Sequence, residues 1–469
     1  MSEDKRTLAN FGGNQRWQPR RSYRPRSEQE VLDILSRHRS ERIRAIGSLH
    51  SWSEVAVAPD VLLDMGEFVE VEPRAAAVRS GAGCRLGDLL DRLHAATDQT
   101  LPTLGVIRSQ TIAGAISTGT HGSGRQTLSH FVTAVRFAAY SPSGEPKVFE
   151  YGSGDELKAA RCGLGAVGVI LAVEMRTVPK YSIRDTVRIL ARVEDARALC
   201  DAHELSQFAL APYGWKIMAW ERDVISGTAP GARSLRARAF RVLNFVGVDV
   251  LCHLLVKAAR ALGAGAVRML MKILPGLLIA NVPRIDDAEH VLTMRHDLFR
   301  HEEMEVFVPR SRLVEAASLV RGAIEMFAGA ASPPADLEAM LRKAGLYDDL
   351  MQHRGMYLHH YPLFFRHVLP DDTLVSMTSA SSEPWYSISF FTYDSPGNRG
   401  RYYAFCAWIA HALHANFGAR LHWGKHYPLG AAEAARMYPN LEQFRMICRA
   451  TDRGGVFRND FTDKVVGFR

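Results

Sequence analysis

The sequence predicts an α+β fold. Three observations carry the prediction. Short apolar and β-branched runs of strand length lie between glycine-rich turns through the first 180 residues. Helical stretches are mixed with them rather than gathered at one end. The chain has 469 residues, too long for one compact core and suited to two or three domains. Apolar residues make up 47% and charged residues 23%, which excludes a disordered or fibrous chain.

Taken in order, residues 27–38 (SEQEVLDILSRH) open with Ser27 and space apolar residues helically, so they read as a capped helix. RIRAIGSLHS then runs from a short strand into a turn of small residues, and VLLDM, AAAVRSGAG and VTAVRFAAYS read as strands. CRLGDLLDRLHAA is a helix, followed by the small-residue stretch TLPTLGVIRSQTIAGAISTGTHGSGRQ. Residues 181–420 mix strands and helices, and 421–469, opening at HWGKHYP, is rich in loops. No internal repeat is visible.

The net charge of 58 − 50, or +8, is not evenly spread. Residues 231–280 hold eight basic side chains (Arg233, Arg236, Arg238, Arg241, Lys257, Arg260, Arg268, Lys272) and one acid, Asp249, giving +7 in a strongly apolar segment. No charge-free stretch there reaches the ~18 residues of a membrane span, so no transmembrane helix is expected. On one continuous helix the last four cations share a stripe, with Leu255, Leu262, Ala266, Met269, Leu270 and Ile273 opposite. Two readings stand: a basic amphipathic helix on an anionic membrane surface, or a helix packed on the protein's own core with its basic edge in solvent. Nucleic-acid binding is disfavoured because no aromatic residues interleave with the cations. Cys84, Cys162, Cys200, Cys252, Cys406 and Cys448 are widely separated, which argues for reduced thiols in a cytoplasmic protein rather than disulfides or a zinc finger. The N-terminal residues lack the apolar run of a secretory signal.

Several motifs fail on context. Gly163, Gly165 and Gly168 match G-x-G-x-x-G, but the β-branched VILAVEMRTV follows where a dinucleotide fingerprint needs a helix. His422 and His426 are spaced like zinc ligands on a helix, which Gly424 and Pro428 make improbable. No metal site is expected. Neither the hydrolase elbow nor the P-loop pattern occurs.

Two loops remain. Ile46-Gly47-Ser48-Leu49-His50-Ser51 follows a short strand, and its small residues let backbone N–H groups approach an anion. The stretch 111–124 (TIAGAISTGTHGSG) can wrap a diphosphate with backbone N–H and hydroxyl donors without side-chain clash. Each alone also reads as an ordinary turn.

Together the loops resemble the FAD domain of the vanillyl-alcohol oxidase superfamily, with its PCMH-type two-subdomain architecture. Within it the chain resembles the aldonolactone oxidase group, comprising gulonolactone, arabinonolactone and alditol oxidases. The likeness runs from Arg24-Pro25 through both loops and GLGAVGVI, which ends at Ile170, to His422-Trp423-Gly424-Lys425, Tyr438-Pro439 and the tail GGVFRNDF. It implies an FAD-binding domain over 1–180 and a substrate-covering α+β domain with an antiparallel sheet over 181–420. A C-terminal segment, 421–469, is implied to return to the flavin.

By the same resemblance, Ile46, Gly47, Ser48, Leu49, His50 and Ser51 contact FAD from the first loop. Thr111, Gly114, Ser117, Thr118, Gly119, His121 and Gly122 do so from the second, with Ile170 and Lys425. His50 stands where many members attach the flavin covalently through its 8α-methyl, and neutral imidazole is a competent nucleophile for that bond. Lys425 is implied to face the flavin N1–C2 edge, where a cation stabilises the reduced ring. Arg366 is implied to face substrate, but Phe364 stands where the family has a glutamate. A later strand, SISFFTY, places Phe390 at a position that is His in alditol oxidases. Two phenyl groups suggest a less polar substrate or another base. His360, His367 and Tyr361 are candidates, as are the carboxylates Glu303 and Glu305 of HEEMEVFVP.

The activity implied is hydride removal from a carbinol of a sugar-1,4-lactone or related alcohol, with O₂ as acceptor giving H₂O₂. Two alternatives stay open. One is a membrane-associated dehydrogenase delivering electrons to a quinone or cytochrome; the other is a non-catalytic flavoprotein. Animal members carry an apolar stretch at the position of 231–280 and associate with membranes peripherally, which favours that contact here.

Overall fold

The structure, a computed structural model, describes residues 7–468 apart from 228, 230, 231, 233, 295–299, 394 and 395. The first helix, Glu28–Arg37, is capped by Ser27, whose Oγ accepts from the Glu30 N–H at 3.2 Å. It buries Val31, Ile34 and Leu35. A small parallel sheet follows, with Val61–Asp64 between Arg21–Tyr23 and Ile43–Ile46. A five-stranded antiparallel sheet is ordered Pro146–Tyr151, Val132–Tyr140, Val169–Arg176, Ala77–Gly81, Val71–Pro73. Val169–Arg176 is the strand that denied 163–168 a dinucleotide fingerprint. Residues 422–430 form no helix, so His422 and His426 do not share a helical face.

An eight-stranded antiparallel sheet supports the rest, ordered Arg284–Asp287, Tyr181–Leu190, Ile217–Ser226, Gln207–Leu210, Leu363–Val368, Trp385–Tyr393, His301–Pro309, Arg420–Leu421. Antiparallel pairing lets one face carry apolar packing and the other a site, because side chains alternate. Met304, Val306 and Val308 lie on one face of His301–Pro309, all fully buried. Helices Leu313–Phe327 and Pro396–Phe417 complete the apolar layer through Phe327, Phe405 and Trp408.

The segment 231–280 departs from the single amphipathic helix expected. Helix Leu235–Asn244 continues through a wider π-type stretch, Phe245–Cys252, into His253–Leu262. The chain then turns at Gly263, with φ +102°, before Ala264–Ile273. That φ is costly for any side chain, which is why the corner falls on glycine. Two helices meeting at a corner do not share one wheel: Val256, Ala259, Val267, Leu270 and Met271 are buried, whereas Leu262 and Met269 are exposed. The cations are not all free in solvent either. Lys257 and Arg260 lie over the Tyr393 ring, and Arg268 lies over Tyr213 while donating to the Ala328 carbonyl at 2.7 Å. Arg233 and the side chain of Arg236 lie outside the described residues, as do residues 1–6 of the N-terminal reading. Ala237–Leu262 is long and apolar enough to cross a membrane by length and composition alone, with mean hydropathy 1.7. Arg238, Arg241, Asp249, Lys257 and Arg260 keep every charge-free stretch within it shorter than a span, as expected.

Candidate active site

A cavity of about 270 Å³ lies between the two loops and the large sheet. The strand Ile43–Ile46 delivers 46–51 to it, and helix Ile112–Ser117 delivers the second loop. Ile46, Gly47, Ser48, Leu49, His50 and Ser51 line it, with Thr111, Gly114, Ser117, Thr118, His121, Gly122 and Ile170. Gly47 is required by close approach, since a Cβ there would sit 2.0 Å from Thr111 Oγ1. Gly119 does not line the cavity. Its backbone turns at φ +76° and faces Met377, so its role is to turn the loop.

His50 is held on both sides. Its Nε2 is 2.8 Å from Ser109 Oγ, and the Phe11 ring packs 4.9 Å from it, centre to centre. Its Nδ1 is buried without a hydrogen-bond partner. Burial, and then the charge of Lys425, lowers its pKa to about 4, so the imidazole is neutral at pH 7.

The C-terminal segment closes one wall. Trp52 N–H donates to the Gly424 carbonyl at 2.8 Å, and Ser51 and Ser53 hydroxyls donate to the Gly424 and Trp423 carbonyls. Lys425 is thereby brought over the Trp52 ring, 4.3 Å from its centroid, and ion-pairs with Glu303. Buried Arg44 donates to carbonyls of Val55, Leu164 and Phe457, tying the first loop to the tail.

The sheet floor supplies the carboxylates. His301, Glu303 and Glu305 alternate along one strand and all line the cavity. Burial raises the Glu303 pKa, but Lys425 and His301 outweigh it and hold the carboxyl down at about 2. Glu305 is opposed by burial in the same way; His121 and Arg366 keep it well below the ordinary range. Its Oε1 lies 3.2 Å from His121 Nε2, 3.5 Å from Arg366 Nη1 and 3.2 Å from Ser389 Oγ, which donates. His121 Nδ1 donates to the Gly122 carbonyl at 2.9 Å, so its contact with Glu305 needs a proton between them. Ligand-type atoms of His121, Glu305 and His422 lie within 4.8 Å of one another. Gly424 N–H donates to His422 Nδ1 at 3.0 Å, which leaves the neutral ring's proton on Nε2 and disfavours ligation by that atom.

Arg366 and Phe364 line the cavity, as the sequence suggested; Phe390 does not. It is fully buried on the opposite face, against Phe405 and His359. Phe391 takes the wall position, edge-on to Phe364 with ring centres 6.0 Å apart. One residue of register exchanges the faces of a strand, and Phe-Phe hides that difference in the sequence. Among the base candidates, Tyr361, Glu303 and Glu305 line the cavity. His360 is turned toward Thr392 and the Tyr393 backbone, and His367 stacks on Tyr386. His301, His422, Trp52, Gln207 and Arg222 also line it without having been singled out for it. The period-2 spacing of His301, Glu303 and Glu305 within an apolar strand was the available signal.

A parallel sheet feeding a glycine-rich cradle, set against a large antiparallel sheet, is the architecture of a flavin-binding oxidoreductase. The crystal structure of cholesterol oxidase from B. sterolicum superposes with TM-score 0.71 over 98% of this chain and 96% of that one, at 14% identity, a likeness of fold. Residues 19–147 match the FAD binding domain family, and residues 173–465 match the D-arabinono-1,4-lactone oxidase family. The chain belongs to the latter family and is an FAD-dependent oxidoreductase. A long-chain alcohol oxidase from an uncultured marine euryarchaeote is 39% identical over 97% of this chain and 95% of its own. L-gulono-1,4-lactone dehydrogenase of Mycobacterium tuberculosis is 26% identical over 98% and 99%, and mouse L-gulonolactone oxidase 23% over 95% of each. The residues fit the cofactor: a cradle with no room for a Cβ at Gly47, and a buried, unpartnered His50 Nδ1 beside it.

Proposed function

We propose that the protein oxidises the carbinol of an alcohol with a substantial apolar portion, with O₂ as acceptor and H₂O₂ as product. The supporting observation is the wall of Phe364, Phe391 and Tyr361 facing a floor whose carboxylates are already ion-paired. Rings in place of a free carboxylate favour an alkyl chain over the hydroxyls of a sugar lactone. The name of the 39% identical relative points the same way. Residues 1–180 hold FAD, 181–420 shape the substrate side, and 421–469 returns Lys425 to the ring. Bound FAD supplies the electrophilic ring that takes up hydride. Lys425 would hold positive charge there, Arg366 would orient the hydroxyl while Glu305, 3.5 Å from its Nη1, takes the hydroxyl proton, and the aromatic wall excludes water from the chain. Neutral His50, with Ser109 holding Nε2, presents Nδ1 for covalent attachment. The segment 231–280 contacts an anionic membrane peripherally, by its cations and exposed apolar residues. That contact also suits a second reading, in which a membrane quinone replaces O₂.

Two measurements test this. Acid precipitation leaves yellow chromophore with the wild-type protein and releases it from His50→Ala; release from both refutes covalent attachment. Anaerobic mixing with hexan-1-ol bleaches the flavin, and air restores it with H₂O₂. Bleaching by sugar-1,4-lactones alone refutes the apolar-alcohol reading, and restoration by a quinone but not by air selects the second acceptor.

A further inference from the structure

The wall and the insertion share side chains. Tyr361 and Phe391, which line the cavity, belong to one apolar cluster with Val256, Ala259, Val267, Leu270 and Met271 of the two corner helices, and Phe364 packs against it. The cavity is therefore separated from the insertion's outer surface by that cluster, with Lys257 and Arg260 over the ring of its member Tyr393 and His253 Nδ1 2.6 Å from the Tyr393 hydroxyl.

The outer surface is apolar as well. Thirteen of the eighteen large apolar side chains exposed among the described residues fall between Leu235 and Val282. Leu254, Leu262, Met269 and Ile273 stand 57%, 81%, 60% and 48% exposed on the two helices whose inner faces cover the wall. A soluble surface rarely gathers so many. Residues 231–280 carry +7 in sequence, and Arg238, Lys257 and Lys272 are exposed in that segment, a charge complementary to an anionic bilayer. The helices lie on the protein here instead of leaving it to span a membrane, because Val256 and Ala259 are buried in the shared cluster.

We infer that the corner helices are the substrate port: the outer face seats on an anionic bilayer, and a long-chain alcohol passes from the lipid between these helices and the sheet to the Tyr361–Phe391 wall. The inference rests on the proposed alcohol oxidation and adds where the substrate comes from. An amphiphile dissolved in lipid reaches the cavity without its chain crossing water, which avoids the cost of exposing the chain to water that a soluble route imposes. Short alcohols, which partition weakly into lipid, gain nothing from the port.

The test uses the full-length holoprotein carrying Leu254→Glu, Leu262→Glu and Met269→Glu, all exposed and outside the cavity. Three readouts are compared with wild type: sedimentation with vesicles of phosphatidylglycerol and phosphatidylcholine, kcat/KM for hexan-1-ol in buffer, and kcat/KM for hexadecan-1-ol carried in those vesicles. The expected result is loss of sedimentation and a fall of about tenfold or more for hexadecanol, with hexanol unchanged within about twofold. A hexahistidine tail that tethers the variant to nickel-chelating vesicles is expected to restore sedimentation and not hexadecanol turnover. Recovery of turnover by the tether overturns the port and leaves a mere anchor. Unchanged sedimentation, or a patch that instead holds two copies of the chain together in solution, overturns it as well. If neither alcohol bleaches the wild-type flavin, the parent reading fails and the port with it.

Discussion

Replacing Lys425 by methionine isolates the most consequential ion pair in the cavity. The Lys425 side chain is 15% exposed and that of Glu303 only 4%, so little solvent screens the pair. Methionine keeps most of the packing over Trp52 and removes the charge. Glu303 is then a buried carboxylate facing Glu305 across two residues of strand, with His301 at 3.8 Å as its remaining partner. Breaking a buried pair by deleting one member costs about 3–5 kcal/mol, because the other charge stays desolvated. With an unfolding entropy of about 2 cal/mol/K per residue, a cooperative transition of this chain falls by about 3–5 °C.

The loss depends on pH in a definite sense. In wild type the Glu303 pKa is depressed to about 2, so its contribution is present above the ordinary 4.5 and fades as pH falls through 2. Without Lys425, burial dominates and the folded pKa rises above 4.5; stability is then lost as pH climbs through that raised value. The gap between wild type and variant therefore closes only as pH falls toward 2, is already substantial at pH 4 and is full at pH 8. Thermal unfolding of both holoproteins at pH 4 and pH 8 measures it, with Lys425→Met/Glu303→Gln as the control expected to recover most of the loss. A cost below about 1 kcal/mol at pH 8, or one that does not grow with pH, refutes the assignment of Glu303 as ionised through Lys425.

Three further outcomes follow from the geometry. Phe391→Ala is expected to raise KM for alcohols by about tenfold besides lowering stability, because its ring is buried in the shared cluster, whereas Phe390→Ala costs about 3–5 kcal/mol and leaves KM alone; alcohol kinetics and thermal unfolding on both distinguish the two faces. Ser109→Ala is expected to lower the fraction of acid-stable flavin severalfold, and Ser109→Thr to restore it. A hydroxyl can accept from Nε2–H before attachment and donate to the bare nitrogen afterwards, and alanine can do neither; unchanged covalent flavin in the alanine variant refutes the positioning role. Gly263→Ala is expected to cost about 1–3 kcal/mol through its φ of +102° and to weaken vesicle sedimentation, read by unfolding and co-sedimentation together.

Much of this was legible along the chain because its signals are local. Ser27 and the apolar spacing after it fix a helix, and the β-branched run after Gly168 fixes a strand. The small residues of 46–51 and 111–124 read as a cradle only when taken together, since each alone also reads as an ordinary turn. The carboxylates were harder. The phenylalanine at 364 could be seen, but not that Glu305 reaches Arg366 directly from two strands away, because pairing order in an antiparallel sheet is set by side-chain packing over the whole face. Phe390 and Phe391 differ by one residue and point to opposite faces, a distinction that register alone makes. The corner at Gly263 turned a single predicted stripe into two helices that bury one face on the aromatic wall and expose the other. Local motifs, through the family they resemble, pointed to the chemistry, and the distribution of basic residues showed where charge accumulates; tertiary structure decided which groups face the cavity, since burial and pairing are properties of neighbours that the sequence places hundreds of residues apart.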